Sequence, residues 1–560
     1  MELAPIVIFT YNRPDKTLSV INSLKTNNLA KYSDLYVFSD GLNKFKKDDF
    51  YKVNCIREII KNTDGFKSIR LIQRSKNLGL YKNITLGLDY IFKKNKKAII
   101  LEDDIVVSQN FLKYMNDSLI TYENNNEVGS ICSNLSKNKE KLPKTFFLYH
   151  QDCWGWGAWR RSWKLFDHNS KKLLKKIKDQ GLEKKFNLEN EYDFSRLLKG
   201  NQLKKRSWAV NWYASLLIHK KLNLYSSTPM SKNIGLGKSS TNTKRVFKVL
   251  DLAKFKKNTK YRKIKIEESK VGYNAIVNFY EKTQDIKNIN LVNRIEKKIK
   301  WLKIIIKNFF SNKKNRFYFT GPFNTWKDAR KNSEGYDNDK IIKKLFESAI
   351  KVKNKKFAYE RDTVLFSKPS YDWLILYNIL KHYNNYKNLN LIDFGGSLGS
   401  TYYQHKFFLK LFKSVKWNII EQKKITTIGK KFFKNKRLNF YNDLEFAMKE
   451  NKPKLILLNN VLQYIENPTQ IIDILSKYKG VTIIIDKIIF TKKAKGIIIV
   501  QKNPKRIYEA AYPLRIFSKS KFLKKISQHF KIIENKKNNF SFDLSFDNVD
   551  YKSEYLIIKS

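Results

Sequence analysis

Short apolar runs alternate with amphipathic stretches in two separate parts of the chain. In the first part, Pro5–Thr10, Leu35–Ser39 and Ala98–Leu101 have the length and composition of buried strands, and stretches with helical periodicity lie between them. The same alternation returns after Leu389. Strands that alternate with helices predict a mostly parallel sheet covered on both faces, so we expect an α/β fold in both parts.

The chain of 560 residues is too long for one hydrophobic core, since domains usually have about 100–200 residues. A Lys-rich, glycine-poor stretch separates two richer regions. We therefore predict a first domain over 1–243, a basic helical linker over 244–315 and a second domain over 316–560. Within the linker, 295–310 places apolar residues near one helical face, a pattern that suits an anionic membrane surface or packing against either domain.

The formal net charge is +61, and clustered basic residues would favour nucleic acid. Here the lysines are spread along the whole chain, as in proteins from AT-rich genomes, so no nucleic-acid partner is expected. No signal peptide is recognisable, and no apolar run approaches the roughly 18 residues of a membrane span. Three cysteines without a CxxC pair fit a reducing compartment. We expect a cytoplasmic protein, soluble or peripheral on the inner face of the membrane.

Three consecutive acids, Glu102, Asp103 and Asp104, directly follow the apolar run Ala98–Leu101. Like charges at one strand end repel one another, so the cluster requires a compensating cation. A hard divalent ion prefers oxygen ligands and is commonly shared between one or two carboxylates and the phosphates of a substrate. A solvated acidic loop is the alternative interpretation of these three residues.

The ordered series PIVIFTYNRP, FSDG, RSKNLGLYKNITLGLDYIF and ILEDDIVVSQNFLKYM resembles the GT-A glycosyltransferases, in particular bacterial family-2-like members and the N-acetylglucosaminyltransferase I type. The resemblance covers roughly Pro5 to Thr243. It implies a GT-A nucleotide-sugar-binding fold, a nucleotide-sugar donor and a Mn²⁺ or Mg²⁺ cofactor, with Asp104 as the direct metal ligand. The residues that it places at the nucleotide sugar are Thr10, Arg13, Asp40, Asn77, Gly79 and Asp103.

Two further segments extend this resemblance to the acceptor side. CWGWGAWRRSW resembles the acceptor loop of the family, although tryptophans that pack a core are the alternative. RSWAVNWYASLLI resembles the helix with the catalytic base, but Arg206 stands where family members commonly have an acid. NIGLGKSS resembles the loop that closes over the donor. The acceptor-binding residues implied are Trp154, Trp156 and Trp208, and the candidate substitutes for the base are Glu191 and Asp193.

The segment LIDFGGSLGSTYYQ combines a strand that ends at Asp393 with a glycine-rich turn and a helix. Glycines let the backbone approach a ligand closely, and a helix N-terminus favours an anionic group. The next strand ends at Glu421, where a carboxylate can bind both ribose hydroxyls of S-adenosylmethionine or of NAD. The glycine-rich turn alone leaves both nucleotides open.

The segments TWKDARKNSEGYD, FAYERDTVLF, DFGGSLGS, NNVLQYIENP and IYEAAYPLRIFS resemble a bacterial methyltransferase family over Phe319–Ile558. The resemblance implies a Rossmann-like class I methyltransferase fold with S-adenosylmethionine as cofactor, and an acceptor pocket lined by Tyr359–Asp362 and Tyr508–Pro513. Family members commonly have Asp-Arg-Thr-Pro where this chain has Asp486–Ile489. The residues implied at the cofactor are Asp393, Gly395, Gly396, Gly399, Glu421, Asp443 and Asn460. The candidate bases are His405 and Asp486.

Together these resemblances predict a bifunctional enzyme of bacterial surface-polysaccharide biosynthesis, such as O-antigen or capsule. One domain would transfer a sugar from a nucleotide sugar, and the other would methylate a glycan hydroxyl. The expected acceptor is a glycan or lipid-linked glycan, which suits peripheral membrane contact through the basic linker. Two alternatives stay open: an RNA or other nucleic-acid methyltransferase with a non-catalytic sugar- or nucleotide-binding N-terminal domain, and a first domain that binds sugar without catalysis.

Overall fold

The computed structural model describes residues 2–46, 48–135, 140–204, 207–235, 262–282, 318–335, 339–382, 387–504, 507, 510–544 and 549–560. They form two compact units, Met1–Ile299 and Lys300–Ser560. The predicted amphipathic stretch 295–310 lies outside the described residues, as does Arg206. No helix in the described part of the chain is long and apolar enough to cross a membrane.

The strands of the first unit are short and form one mixed sheet beside a small antiparallel pair. They are β1 (Ile6–Thr10), β2 (Asp34–Ser39), β3 (Ser68–Gln73), β4 (Lys97–Glu102), β5 (Ile105–Val107), β6 (Val128–Cys132), β7 (Thr145–Leu148), β8 (Trp156–Trp159), β9 (Leu222–Ser226) and β10 (Ser231–Asn233). The large sheet has the order β3-β2-β1-β4-β8-β6-β9-β7, and β5 pairs with β10. β1 is parallel to both β2 and β4, whereas β8 is antiparallel to β4. The first half of this sheet is therefore doubly wound.

Helices cover both faces of this sheet. They are α1 (Pro14–Lys25), α2 (Asp49–Lys61), α3 (Gly79–Lys94), α4 (Phe111–Thr121), α5 (Arg160–Trp163), α6 (Ser170–Asp179), α7 (Glu183–Phe186), α8 (Phe194–Leu203), α9 (Trp208–Ile218) and α10 (270–282). Strand β1 shows the division: Ile6 and Ile8 pack in the cluster that contains α1, α2 and α4. Val7 and Phe9 pack in the cluster that contains α3 and α9. Alternate residues of a strand point to opposite faces, so β1 is buried on both.

Residues 262–282 belong to the first unit, although they fall within the predicted linker. Ile276 of α10 joins a buried cluster with Phe146 and Tyr225, and Lys185 forms an ion pair with Glu268. The rest of the predicted linker, 244–261 and 283–315, lies outside the described residues.

An aromatic cluster fills one face of the first sheet. Trp156 of β8 is fully buried, and its ring centroid lies 5.6 Å from those of Trp208 and Trp212 on α9. Trp163 contacts the same group. Rings packed in this way contribute through buried area and through favourable ring geometry. The cluster fixes α9 against the sheet.

The substitution Trp156→Ala is expected to lower the free energy of unfolding by about 3–5 kcal/mol, because it leaves a large cavity in a closed core. Urea unfolding of the full chain, followed by circular dichroism, measures the change. Tyr32→Ala is the matched control, since this ring is 58% exposed and its removal is expected to change stability by about 0.5 kcal/mol or less. A loss for Trp156→Ala as small as that of the control would contradict the packing.

The strands of the second unit form a larger sheet and a separate hairpin. They are β11 (Tyr318–Phe323), β12 (Tyr359–Arg361), β13 (Val364–Phe366), β14 (Asn388–Phe394), β15 (Ser414–Ile420), β16 (Leu438–Tyr441), β17 (Leu455–Asn459), β18 (Thr482–Thr491), β19 (Ile497–Lys502), β20 (Ala511–Ser518), β21 (Lys531–Leu544) and β22 (Val549–Lys559). The main path is β11-β19-β20-β18-β17-β14-β15-β16, β22 pairs with β18 and β21, and β12 pairs with β13.

The helices of the second unit follow its strands in alternation. They are α11 (Trp326–Lys331), α12 (Asp339–Lys353), α13 (Trp373–His382), α14 (Ser400–His405), α15 (Lys423–Ile428), α16 (Leu444–Asn451), α17 (Pro468–Ser476) and α18 (Lys519–Ser527). Short 3₁₀ or π turns occur at Ala30–Tyr32, Phe408–Leu411, Gly429–Phe433 and Leu462–Tyr464.

Five parallel strands of the second unit stand in the order β16-β15-β14-β17-β18. In order along the chain these are strands 3-2-1-4-5, the doubly wound arrangement, and β22 runs antiparallel beside β18. The fold class predicted from the sequence is confirmed: both units are α/β, with a GT-A-like sheet in the first and a Rossmann-like sheet in the second. Each unit has a point at which the strand order reverses, beside β1 and β4 or beside β14 and β17.

Candidate functional sites

The carboxyl ends of β1 and β4 meet near the centre of the first sheet. β1 ends at Thr10 and β4 at Glu102, and the two strands are parallel neighbours. Ligands of such sheets bind where the strand order reverses. The structure therefore brings together four residues that the sequence assigned to one site, Thr10, Arg13, Asp103 and Asp104.

The guanidinium of Arg13 bridges the two aspartates. Its Nη2 donates to Oδ1 of Asp103, and its Nη1 donates to Oδ2 of Asp104 at 2.8 Å. The backbone N–H of Tyr11 donates to the other oxygen of Asp103 at 3.2 Å. Both aspartates are buried, and the Arg13 side chain is 25% exposed. The compensating cation that the acidic cluster requires is thus supplied by the chain itself.

Burial shifts the proton affinities of these groups. It raises the pKa of Glu102 to about 8, helped by the charge of Asp104 and opposed by Arg13. It raises the pKa of Asp103 to about 6, where Arg13 again opposes the rise. Burial alone would lower the pKa of Arg13, but the carboxylates of Asp103 and Asp104 raise it. Arg13 therefore stays charged, and Glu102 holds its proton to a higher pH than an exposed carboxyl group would.

The donor set available to a metal consists of few carboxylates. In the described part of the chain, no group of three or more His, Cys, Asp and Glu side chains is arranged to hold a metal ion. Among the described residues, Arg13 is the hydrogen-bonding partner of the Asp104 carboxylate, through Oδ2. A metal bound to Asp104 would therefore share this carboxylate with Arg13 or displace Arg13 from it. One or two carboxylates suffice for Mg²⁺ when substrate phosphates complete its coordination.

The loop after β10 lies directly against this ion pair. The backbone N–H of Ile234 donates to the carbonyl of Asp104 at 2.8 Å. A Cβ added to Gly235 would lie 1.9 Å from Oδ2 of Asp104 and 2.8 Å from Nη1 of Arg13. Position 235 therefore requires glycine, because any side chain would collide with the ion pair. The rest of the predicted closing loop, 236–240, lies outside the described residues.

Asp40 holds the loop that carries Asn77 and Gly79. Its Oδ1 accepts the backbone N–H groups of Gly41 and Leu78, both at 2.8 Å. Its Oδ2 accepts the Gly79 N–H at 3.0 Å and the Asn77 amide at 3.2 Å. These four hydrogen bonds use about four acceptor sites, which is the capacity of a carboxylate. In this structure Asp40 positions the loop. It could accept a hydrogen bond from the nucleobase of a donor only if one of these four bonds were broken.

Two of the three predicted acceptor tryptophans are core residues instead. Trp156 and Trp208 stack on each other with an interplanar angle of 26°, and both are buried. Trp208 also opposes the rise in the pKa of Glu102. Their assignment to the acceptor was wrong, because both rings are enclosed in the aromatic cluster between β8 and α9 and are not exposed to a ligand. Trp154 is half-buried and stays a candidate.

The two residues predicted to replace the catalytic base lie in different structural environments. Asp193 is the N-cap of α8, and its exposed carboxylate accepts the backbone N–H of Arg196 at 2.8 Å. This contact gives Asp193 a structural role, since capping stabilises the helix start, and its assignment as the base is corrected accordingly. Glu191 lies in the preceding turn, where its N–H donates to the Leu188 carbonyl; its catalytic role stays a prediction.

Sequence reasoning missed Asp152, the residue directly before the CWGWGAW motif. Its carboxylate accepts the backbone N–H of Trp154 at 2.7 Å and the amide of Asn134 at 3.4 Å. Burial raises the pKa of Asp152 to about 6. Oδ1 of Asn134 is buried with no partner among the described residues. Its position directly before a motif of tryptophans and glycines could have identified Asp152 as a candidate, but the tryptophans were assigned instead.

In the second unit, a cavity of about 540 Å³ opens at the carboxyl ends of β14 and β17. Five of the seven residues predicted at the cofactor line it: Gly395, Gly396, Glu421, Asp443 and Asn460. Of the other two, Asp393 and Gly399, the first is buried and accepts the Trp417 indole N–H at 3.0 Å. The second begins α14 with a φ of +102°. The structure thus gathers the predicted set in and around one cavity.

Two glycines of the glycine-rich turn pack closely against neighbouring side chains. Gly395 has a φ of +74°, and a Cβ there would lie 2.5 Å from Val461. A Cβ at Gly396 would lie 2.7 Å from Cγ of Asp393, the carboxyl group whose pKa burial raises to about 7. Oγ of Ser397 is buried with no partner among the described residues. An orphaned hydroxyl at this place favours a bound ligand that satisfies it.

Glu421 fastens the turn to the end of β15. Its Oε1 accepts the Ser397 N–H at 3.1 Å, and its Oε2 accepts the Gln422 N–H at 3.0 Å. Burial raises the pKa of Glu421, and these two hydrogen bonds oppose the rise. Each carboxylate oxygen retains a second acceptor site, so both can still bind donors from a ligand in the cavity.

Asp486 is a counter-ion, and the neighbouring Lys487 lines the cavity. The ammonium of Lys487 lies 2.8 Å from Oδ2 of Asp486 and 3.5 Å from Oδ2 of Asp372, and it donates to Asn459 at 2.7 Å. Burial would lower the pKa of Lys487, but the two acids raise it. The prediction of Asp486 as a base was wrong, because its carboxylate is buried and neutralises Lys487. A cation is kept where the resembling family has arginine.

His405 is packed inside the second unit. Its side chain is fully buried, with Nδ1 2.9 Å from the Thr401 carbonyl and Nε2 3.1 Å from the backbone nitrogen of Asp372. Burial lowers the pKa of His405. The prediction of His405 as a base was wrong, because Nδ1 is occupied within α14 by the Thr401 carbonyl and Nε2 joins α14 to the residue before α13.

The β12–β13 hairpin brings two charged residues to the same cavity. Arg361 and Asp362 line it, and Arg361 donates to Oε1 of Gln404 at 2.9 Å. Asp362 and Thr363 have φ values of +49° and +67°, which are costly for residues with a side chain, above all for a β-branched one. Thr363 donates to the Ile507 carbonyl at 2.8 Å. Such contacts hold the strained turn in place.

A neutral polar network lines the other side of the cavity. Tyr464 donates to Oε1 of Gln501 at 3.3 Å, and Gln501 donates to Oδ1 of Asn503 at 2.8 Å. Asn503 in turn donates to the hydroxyl of Tyr512 at 2.8 Å. All four residues line the cavity. Amides and phenols of this kind can recognise hydroxyl groups without adding charge.

No protein-family model matches this chain, and no curated protein matches it. Among solved structures, the crystal structure of S. aureus TarS is similar, with 15% sequence identity and a TM-score of 0.19. The match covers 26% of this chain and 23% of that chain.

Proposed function

We propose that the chain is a bifunctional transferase of glycan biosynthesis. The first unit transfers a sugar from a nucleotide sugar with Mn²⁺ or Mg²⁺, and the second methylates a glycan hydroxyl with S-adenosylmethionine. The observation that carries the proposal is the cavity of the second unit, where a glycine-rich nucleotide cradle adjoins a neutral polar surface. The acceptor is a glycan or a lipid-linked glycan.

The cradle fits S-adenosylmethionine. Glu421 binds the ribose hydroxyls with the acceptor sites that its two backbone contacts leave. Gly395 and Gly396 line the cavity, where the methionine part would contact their backbone. Asp443, which caps α16 and also lines the cavity, would contact the adenine. When bound, the cofactor supplies an electrophilic methyl group on a sulfonium. The protein's task is then to align the acceptor hydroxyl with it.

The lining of the cavity favours a sugar over a nucleic acid. Its charged residues are three acids and two bases: Asp362, Glu421, Asp443, Arg361 and Lys487. Lys487 is already paired with Asp486. A polyanionic backbone would meet no excess of positive charge here, whereas the network around Gln501 and Tyr512 offers hydrogen bonds to hydroxyls. A glycan hydroxyl is therefore the proposed acceptor.

In the first unit, Asp104 is the proposed metal ligand, and Arg13 the proposed phosphate contact. A metal bound there would offset the charge that builds on the leaving diphosphate. Arg13 provides a planar fork that matches phosphate oxygens, and Gly235 lies close to both residues. Asp152, Glu191 and Trp154 are the residues proposed for the acceptor side.

The substitution Glu421→Gln is expected to weaken the binding of S-adenosylhomocysteine at least about tenfold, because hydrogen bonds to a charged acceptor contribute about 1.5–3 kcal/mol. Isothermal titration calorimetry of the full chain measures the affinity. Glu347→Gln is the matched control, since Glu347 is an exposed residue of α12. Binding that is equal in both variants, or absent from the unsubstituted chain, would contradict the proposed cofactor site.

The substitution Asp104→Asn is expected to abolish any Mn²⁺-dependent stabilisation by a nucleotide, because an amide binds a divalent ion far less well than a carboxylate. Differential scanning fluorimetry with UDP, GDP and CMP, each with and without Mn²⁺, measures the shift in Tm. Asp117→Asn is the control, since it removes an acid from the exposed ion pair with Lys113. A Mn²⁺-dependent shift in Tm that persists in Asp104→Asn would show that the metal binds elsewhere. The absence of any shift in the unsubstituted chain would argue for a non-catalytic first unit.

A further inference from the structure

Arg13 fills the space between the two carboxylates of the first site. One side chain contacts Asp103 through Nη2 and Asp104 through Nη1, so a single guanidinium neutralises two acids that lie next to each other in the chain. Charge-assisted hydrogen bonds of this type are strong, and the planar fork of arginine gives them a fixed geometry.

The surroundings leave little space for a second cation beside this guanidinium. Both aspartates are buried, and the backbone at Gly235 lies within contact distance of both Asp104 and Arg13. A divalent ion bound to Asp104 would face the positive charge of Arg13 a few ångströms away in a poorly solvated pocket. Like charges at such a distance repel strongly. A divalent ion therefore competes with Arg13 for these carboxylates.

A diphosphate would resolve this competition. Arg13 is the residue directly before α1, where it is the N-cap and Pro14 opens the helix. Its backbone is thereby fixed, while its long side chain can turn from the aspartates to phosphate oxygens nearby. Phosphate offers the guanidinium a bidentate partner of equal quality, and it also adds ligands for the metal.

We propose that Arg13 makes the binding of the divalent cation conditional on the nucleotide diphosphate. The guanidinium pairs with Asp103 and Asp104 until a diphosphate draws it away, and the cation then takes its place on Asp104. The inference rests on the proposed nucleotide-sugar function of the first unit. Since the coupling between two ligands is reciprocal, the cation also strengthens the binding of the nucleotide.

Titration of the full chain with Mn²⁺ alone, followed by the electron paramagnetic resonance signal of the free ion, tests this role. Arg13→Gln is expected to bind Mn²⁺ about tenfold or more tightly than the unsubstituted chain, because the competing cation is gone. Lys16→Gln is the matched control: it removes the same charge from the same helix and is expected to change the affinity by about twofold or less. Arg13→Lys keeps the charge and is expected to bind Mn²⁺ nearly as weakly as the unsubstituted chain.

The same Mn²⁺ titration in the presence of UDP or GDP measures how much the diphosphate raises the affinity for the metal. In the unsubstituted chain, one of these diphosphates is expected to raise the affinity for Mn²⁺ about tenfold or more. In Arg13→Gln this gain is expected to shrink, and the nucleotide itself is expected to bind more weakly. One substitution thus strengthens the binding of the metal and weakens that of the nucleotide, which a general loss of folding cannot produce.

The Mn²⁺ titrations distinguish a failure of the role proposed for Arg13 from a failure of the metal-dependent function proposed for the first unit. Equal affinity of Arg13→Gln and the unsubstituted chain for Mn²⁺ alone would overturn the role of Arg13 and leave the metal site standing. Failure of both to bind Mn²⁺, with or without UDP and GDP, would overturn the metal-dependent function together with the inference. If circular dichroism shows that Arg13→Gln does not fold, the affinity for Mn²⁺ with and without UDP or GDP is compared in the unsubstituted chain and in Arg13→Lys. A diphosphate that leaves the Mn²⁺ affinity of the unsubstituted chain unchanged would contradict the proposal.

Discussion

Parallel pairing between the first and fourth strands of each doubly wound sheet is the constraint on which both sites depend. β1 beside β4 places Arg13 next to Asp103 and Asp104, although about ninety positions of sequence separate them. β14 beside β17 places the turn at Gly395 next to Val461. In both units the sheet converts two distant loops into one site at the point where the strand order reverses.

Each site then depends on how a buried charge is compensated. In the first, one guanidinium pairs with Asp103 and Asp104, and burial together with the charge of Asp104 raises the pKa of the neighbouring Glu102. In the second, Lys487 lies among Asp486, Asp372 and Asn459. Buried charges persist in proteins when they are paired and hydrogen-bonded. Both sites combine a paired cation with carboxylates, yet only the first has its cation directly on the acids proposed to bind a metal.

The sequence was sufficient to predict the fold class and the strand ends at which the candidate sites lie. Strand ends followed by polar residues can be recognised locally, so Asp104 and Glu421 were identified from pattern and resemblance and lie at the sheet edges where ligands bind. Side-chain environments were harder to predict. Trp156 and Trp208 stack in the core, and Asp193 caps a helix, because tertiary packing decides whether an aromatic or acidic residue faces a ligand. Lys487 also contacts Asp372 and Asn459, which are far from it in sequence, so this part of its environment had no local signal.

Hydrogen–deuterium exchange of the full chain, read by mass spectrometry, tests most directly whether the chain has two separate nucleotide sites. With S-adenosylhomocysteine, we expect slower exchange in 393–400, 420–422 and 459–464 and no change in 10–13 or 102–104. With Mn²⁺ and the nucleotide that stabilises the chain, we expect slower exchange in 10–13, 102–104 and 233–235 and no change in the segments of the second unit. Saturating S-adenosylhomocysteine that leaves 393–400 unprotected would contradict the proposed cofactor site, because the glycine-rich turn would then not contact the cofactor.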